Sequence, residues 1–128
     1  MSQPGTLLPL VRLDAIPATG LAVSYPAGPF PETAILLLID GHVRAWKNRC
    51  RHLALALDGP FPGHFLTKDG QFLICQEHGA LYRPDDGRCV AGPCEGAGLR
   101  PLAVVVREGT VFLASGERQG VGAQADPP

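Results

Sequence analysis

The dipeptide Asp-Gly recurs between short β-type runs, and this constrains the chain more than any other feature. Two-residue hairpin loops of type I′ need φ > 0 at both central positions, and Asp-Gly meets that need at low steric cost. Asp40-Gly41 separates residues 34–39 from 42–48. Asp69-Gly70 stands between Phe65-Leu66-Thr67 and residues 71–75, and Asp86-Gly87 between Leu81-Tyr82-Arg83 and Arg88-Cys89-Val90. Glu108-Gly109 links residues 102–107 to 110–114 in the same way. Two earlier runs, 7–13 and 21–25, complete the set, and Pro9 makes the first an edge strand because it lacks a ladder donor. Helical periodicity is hard to find. The spacing predicts an all-β domain of about nine or ten short strands, an antiparallel sandwich or small barrel. It occupies residues 1–114, and residues 115–128, which lose the apolar period, read as a flexible tail.

Composition removes several functions. Gly 16 and Pro 13 in 128 residues fit a turn-rich β protein, with too much Val, Leu and Ile for simple disorder. A net charge of −1 leaves no basic excess to neutralise phosphates, so nucleic acid is not an expected partner. The longest apolar run, residues 34–39, is far shorter than the ~20 residues of a bilayer span. No Lys or Arg precedes Arg12, so no export signal is visible and a cytoplasmic protein with reduced thiols is expected.

Two turns carry the chemistry. Cys50-Arg51-His52 follows the strand ending at Asn48, and Cys75-Gln76-Glu77-His78-Gly79 follows Phe72-Leu73-Ile74. A C-x-H and a C-x-x-H, separated by 22 residues, present two thiolates and two imidazoles from paired loops. That donor set suits either tetrahedral zinc or an iron–sulfur cluster with mixed ligation.

The pattern resembles the signature of Rieske [2Fe–2S] proteins, in which two His replace two Cys on one iron. The likeness extends to Leu81-Tyr82, the Asp86-Gly87 turn, and Gly92-Pro93 ahead of Leu99-Arg100-Pro101-Leu102. It implies a Rieske-like antiparallel β fold with a two-loop cluster-binding part at about residues 49–95. It further implies one [2Fe–2S] cluster per chain, Cys50 and Cys75 on the inner iron and His52 and His78 on the outer one. The implied role is a soluble, monomeric one-electron carrier between a reductase and a terminal oxygenase or other oxidoreductase, not itself an enzyme. A small Rieske subunit of a larger oxidoreductase, such as nitrite reductase, is the first alternative, and a zinc-stapled structural β-domain the second.

The departures from the family bear on potential. High-potential members carry a disulfide between the two loops; Leu55 and Glu77 occupy those positions. Ala80 stands where those members place a Ser that donates to cluster sulfur, whereas the Tyr is retained as Tyr82. A missing donor and an added carboxylate both disfavour the more negative reduced cluster, so a potential near roughly −150 mV, the low end of the Rieske range, is expected. The spacer is longer than soluble members usually have, with the excess assigned to residues 59–64.

Other residues receive plainer readings. Cys89 and Cys94 pack the Pro loop as reduced thiols, and His42 and His64 are surface histidines, with His64 open to a place near the cluster face. Trp46 and residues 34–39 are core. Arg44, Arg49, Arg51, Arg83 and Arg88 form either an electropositive collar or a solvated face with ordinary ion pairs, the latter preferred. Phe61 and Phe65 are either a docking rim or buried in the spacer.

Overall fold

The computed structural model describes residues 6–50, 56–59, 61–92 and 97–115. Nine strands run in order: β1 (Thr6–Arg12), β2 (Leu21–Tyr25), β3 (Glu32–Ile39), β4 (His42–Lys47), β5 (Leu73–Ile74), β6 (Leu81–Tyr82), β7 (Cys89–Ala91), β8 (Val104–Arg107) and β9 (Thr110–Ser115). They form three antiparallel three-stranded sheets, β1-β9-β8, β2-β3-β4 and β5-β6-β7. A single 3-10 turn, Leu13–Ala15, is the one helical element among the described residues. The all-β expectation holds, and β1, with Pro9 inside it, pairs on one side alone as an edge strand.

The apolar run of β3 explains the layering. Ala34 and Leu36 belong to a core with Ile16, Tyr25, Ala45, Val111 and Leu113. Ile35 and Leu37 point the other way, into a core with Trp46, Leu57, Phe65, Leu73, Tyr82 and the buried cysteines. A strand covered on both faces needs no polar alternation, which is why this segment reads as continuous rather than alternating. The β2-β3-β4 sheet therefore joins the scaffold core to the core beneath the two motif loops. Leu38 departs from the expected core, at 39% exposure. Strand parity puts it on the Ala34/Leu36 side, beyond where that core extends.

The Asp-Gly turns follow two mechanisms. Asp40 (φ 53) and Gly41 (φ 80) are both left-handed and connect Ile39 directly to His42, the two-residue hairpin expected. Glu108 and Gly109 do the same between Arg107 and Thr110. At the other two turns only the Gly is left-handed and the loop is longer. There the Asp carboxylate accepts a backbone N–H two residues on, Asp69 from Gln71 and Asp86 from Arg88, both at 3.0 Å. Several runs are shorter as strands than expected: 71–75 contracts to β5, and Phe65-Leu66-Thr67 contributes a single bridge, Leu66 to Leu73. In the other direction, Ser115 belongs to β9 rather than to the tail, whose remaining residues 116–128 lie outside the described residues.

Candidate metal-thiolate site

Both motif loops leave the ends of strands and are stitched to each other by backbone. After β4, Asn48 N–H donates to Thr33 O (2.9 Å) and Arg49 N–H to Lys47 O (2.8 Å), which ends the ladder and turns the chain into Cys50. The second loop closes tightly after β5: Cys75 N–H donates to Ala80 O at 2.9 Å, and Gly79 N–H to Cys75 O at 2.7 Å. Gln76 N–H then donates to Leu57 O at 2.8 Å, joining the second loop to the far end of the first. The Gln76 side chain adds a bond from Nε2 to His64 O at 2.6 Å.

The two thiols converge in the core. Cys50 and Cys75 are buried, and their side chains lie within hydrogen-bonding reach of each other. The Tyr82 hydroxyl lies 3.4 Å from Cys50 Sγ. Burial pushes the Cys75 thiol up and the neighbouring Cys50 pushes it further, while backbone N–H groups of His78 and Glu77 aimed at the sulfur pull it down. Two adjacent buried thiols resist joint ionisation unless a cation lies between them, yet backbone N–H donors are directed at Cys75 as at an anion, and a phenol able to donate lies beside Cys50. That is the donor chemistry of a metal–thiolate centre.

Of the four ligands expected from sequence, the structure thus brings Cys50 and Cys75 together. His78 lies three residues beyond Cys75, past the buried sulfur, and is exposed. His52 lies outside the described residues, as do Arg51 and Leu55. Among the described residues no three ligating side chains converge.

Glycine and alanine shape the ground under the loops. Gly87 (φ 74) brings its backbone onto the Trp46 ring, where a Cβ would lie 2.7 Å from Cζ3. The Trp46 indole N–H in turn donates to Pro84 O at 3.0 Å. Gly92 lies so close to Ala80 that a Cβ would fall 2.7 Å from its Cα. Residues 93–96, Cys94 among them, lie outside the described residues. Beyond them the chain returns along the same edge: Cys89 N–H donates to Ala97 O and Leu99 N–H to Gly87 O. Lys47 N–H to Arg100 O then ties it to β4.

The plainer readings hold where the structure describes them. Cys89 is a buried free thiol whose Sγ–H donates to Ala91 O, and His42 and His64 are exposed. Arg49 pairs with Glu32 at 3.4 Å and Arg83 with Asp85 and Asp86 at 3.5 Å, so these are ordinary solvated pairs. Phe65 is fully buried, as the spacer reading expects, whereas Phe61 is 55% exposed. Sequence reading missed Asn48 and Asp58, both buried, whose side chains bond at 3.0 Å. The available signal was Asp58-Gly59, a further Asp-Gly pair within the spacer.

An antiparallel β protein that brings two buried cysteines together beside a buried tyrosine has thiol donors of the kind that metal–thiolate domains use. The particular family follows from comparison: residues 25–114 match the Rieske [2Fe-2S] domain, and the chain belongs to that family. Among solved structures it is similar to Sphingomonas yanoikuyae B1 ferredoxin, at 20% identity and a TM-score of 0.66 over 87% of this chain and all of that one. The ferredoxin of carbazole 1,9a-dioxygenase from Nocardioides aromaticivorans IC177 shares 21% identity, with a TM-score of 0.65 over 85% of this chain and 97% of that one. The terminal oxygenase of carbazole 1,9a-dioxygenase from Novosphingobium sp. KA1 aligns at 24% identity and 0.70 over 89% of this chain, but over 31% of its own length. No curated protein sequence matches the chain. A Rieske domain implies a [2Fe–2S] cluster, and the paired buried thiols with donors aimed at them fit such a group.

Proposed function

We propose that the protein is a Rieske-type ferredoxin, a cytoplasmic one-electron carrier that takes an electron from a reductase and delivers it to a terminal oxygenase or another oxidoreductase. Cys50, His52, Cys75 and His78 hold one [2Fe–2S] cluster, the cysteines by buried thiolate and the histidines by imidazole. The cluster supplies a single exchangeable electron. The protein contributes N–H donors to Cys75 and the Tyr82 hydroxyl to Cys50, which offset added negative charge, and a dry inner side, which opposes it. An exposed His78 puts the outer edge where a docked partner approaches. One cluster moves one electron and binds no substrate by itself, so the chain acts as a carrier rather than as an enzyme.

The observation that carries this reading is the pairing of buried Cys50 and Cys75, with Tyr82 beside Cys50, inside the family match. A second reading, a Rieske subunit or domain of a larger oxidoreductase, is favoured by the TM-score of 0.70 to an oxygenase. Among the described residues no helix is long and apolar enough to cross a membrane. Protein-film voltammetry tests the function: a reversible one-electron wave is expected, and no wave between about −700 and +450 mV, the known iron–sulfur range, overturns it. Native mass spectrometry separates the two readings, a monomer supporting the carrier and a stable hetero-complex the subunit.

A further inference from the structure

Asn48 stands at the entrance to the first motif loop and Asp58 just past its exit, and both are buried polar residues. Asn48 Oδ1 accepts the Leu57 N–H at 2.7 Å, and Asn48 Nδ2 donates to Asp58 Oδ1 at 3.0 Å. The other carboxylate oxygen, Oδ2, accepts the Gly63 N–H at 3.0 Å. Three bonds thus close the base of the loop, and Leu57, held by Asn48, also accepts the Gln76 N–H from the second loop. A buried carboxylate is costly unless its oxygens are satisfied, and here each one has a directed donor.

We infer that Asn48 and Asp58 are positioning residues for the cluster site: they close the base of the Cys50 loop and fix it against the Cys75 loop. The inference rests on the ligand reading of Cys50 and Cys75. A short route runs from the pair to each cysteine. Asn48 is two residues from Cys50, and Leu57 is one hydrogen bond from Gln76, the neighbour of Cys75. Loosening the pair lets the thiolates separate without disturbing the scaffold core of Leu36, Val111 and Leu113 on the far side of β3.

The geometry permits an exchange test. Asn48→Asp sets two carboxylates against each other, and Asp58→Asn turns an amide N–H toward the Gly63 N–H. The double exchange combines N48D with D58N. Its carboxylate, now at position 48, accepts from Leu57 N–H and from the amide now at position 58. The oxygen of that amide accepts from Gly63 N–H, so all three bonds return. Holoprotein is challenged with an iron chelator, cluster loss is followed by visible bleaching, and EPR line shape and thermal unfolding are recorded on the same samples. Each single variant is expected to release its cluster about tenfold faster with a broadened EPR signal, and the double exchange to come within about twofold of wild type.

Leu113→Ala, a cavity in the scaffold core, is expected to lower the unfolding temperature without speeding release. If the double exchange releases as fast as the singles, or if Leu113→Ala speeds release as much as they do, the positioning role is overturned. A colourless, iron-free wild type overturns the ligand reading as well, and it does so before any variant is made.

Discussion

The Tyr82 hydroxyl sits 3.4 Å from the Sγ of Cys50, inside a core that excludes water from both. Tyr82 pairs with Leu73 in the strand that leads into Cys75, so one residue touches the first cysteine and braces the second. Toward a thiolate the phenol is the donor, and its dipole stabilises whichever state carries more negative charge. For a cluster held there, that is the reduced state.

Tyr82→Phe is therefore expected to lower the reduction potential while leaving the fold and cluster content intact. One net hydrogen bond is worth about 1 kcal/mol, which for one electron is roughly 40 mV. Voltammetry of the variant beside wild type checks it, and an unchanged potential would show that the phenol does not tune the cluster.

His78→Cys is expected to retain a cluster and to shift its potential downward, toward the ~−400 mV of all-thiolate clusters. The cause is a neutral imidazole exchanged for an anionic thiolate. A variant that keeps the wild-type potential and spectrum would show that His78 is not a ligand.

Gly87→Ala is expected to destabilise the protein by about 2 kcal/mol or more. A left-handed φ of 74 coincides with a contact of 2.7 Å between the new Cβ and the Trp46 ring, and the backbone there cannot retreat because Leu99 N–H bonds Gly87 O. Urea unfolding followed by the fluorescence of Trp46, the one tryptophan in the chain, measures it directly.

Tyr25 is buried with a hydroxyl that has no hydrogen-bond partner among the described residues, and burial, reinforced by Glu32, pushes its pKa up to about 12. A folded pKa above the unfolded value of about 10 means that the folded state favours the protonated phenol. Its contribution is complete below pH ~10 and is lost as pH rises through about 12. Tyr25→Phe is expected to stabilise by about 1 kcal/mol at neutral pH, by removing the unsatisfied group, and to flatten the fall in stability across that alkaline window. Chemical denaturation at neutral pH and across the alkaline range compares the two proteins.

Local chemistry made much of this architecture legible in the sequence. The Asp40-Gly41 hairpin follows from conformational preference alone, and the unbroken apolar run of β3 announces burial on both faces. The paired cysteines follow from their place at strand ends. What stayed hidden depends on contacts between segments distant in sequence. Asp58-Gly59 looks like another solvent turn, and its buried carboxylate is intelligible only once Asn48 is beside it. Phe61 and Phe65 carry the same side chain four residues apart, and only the packing of Leu57 and Leu73 decides which is covered. Gly87 reads as turn chemistry, whereas its second duty, admitting the Trp46 ring, requires the fold.

The central claim, a [2Fe–2S] cluster held between the Cys50 and Cys75 loops, is tested most directly by quantifying iron and zinc on purified protein whose visible and EPR spectra are recorded before and after dithionite. A red-brown protein is expected, with about two irons per chain and an EPR signal that appears on reduction, its average g below the free-electron value. A colourless protein with one zinc per chain and no signal in either state would contradict it.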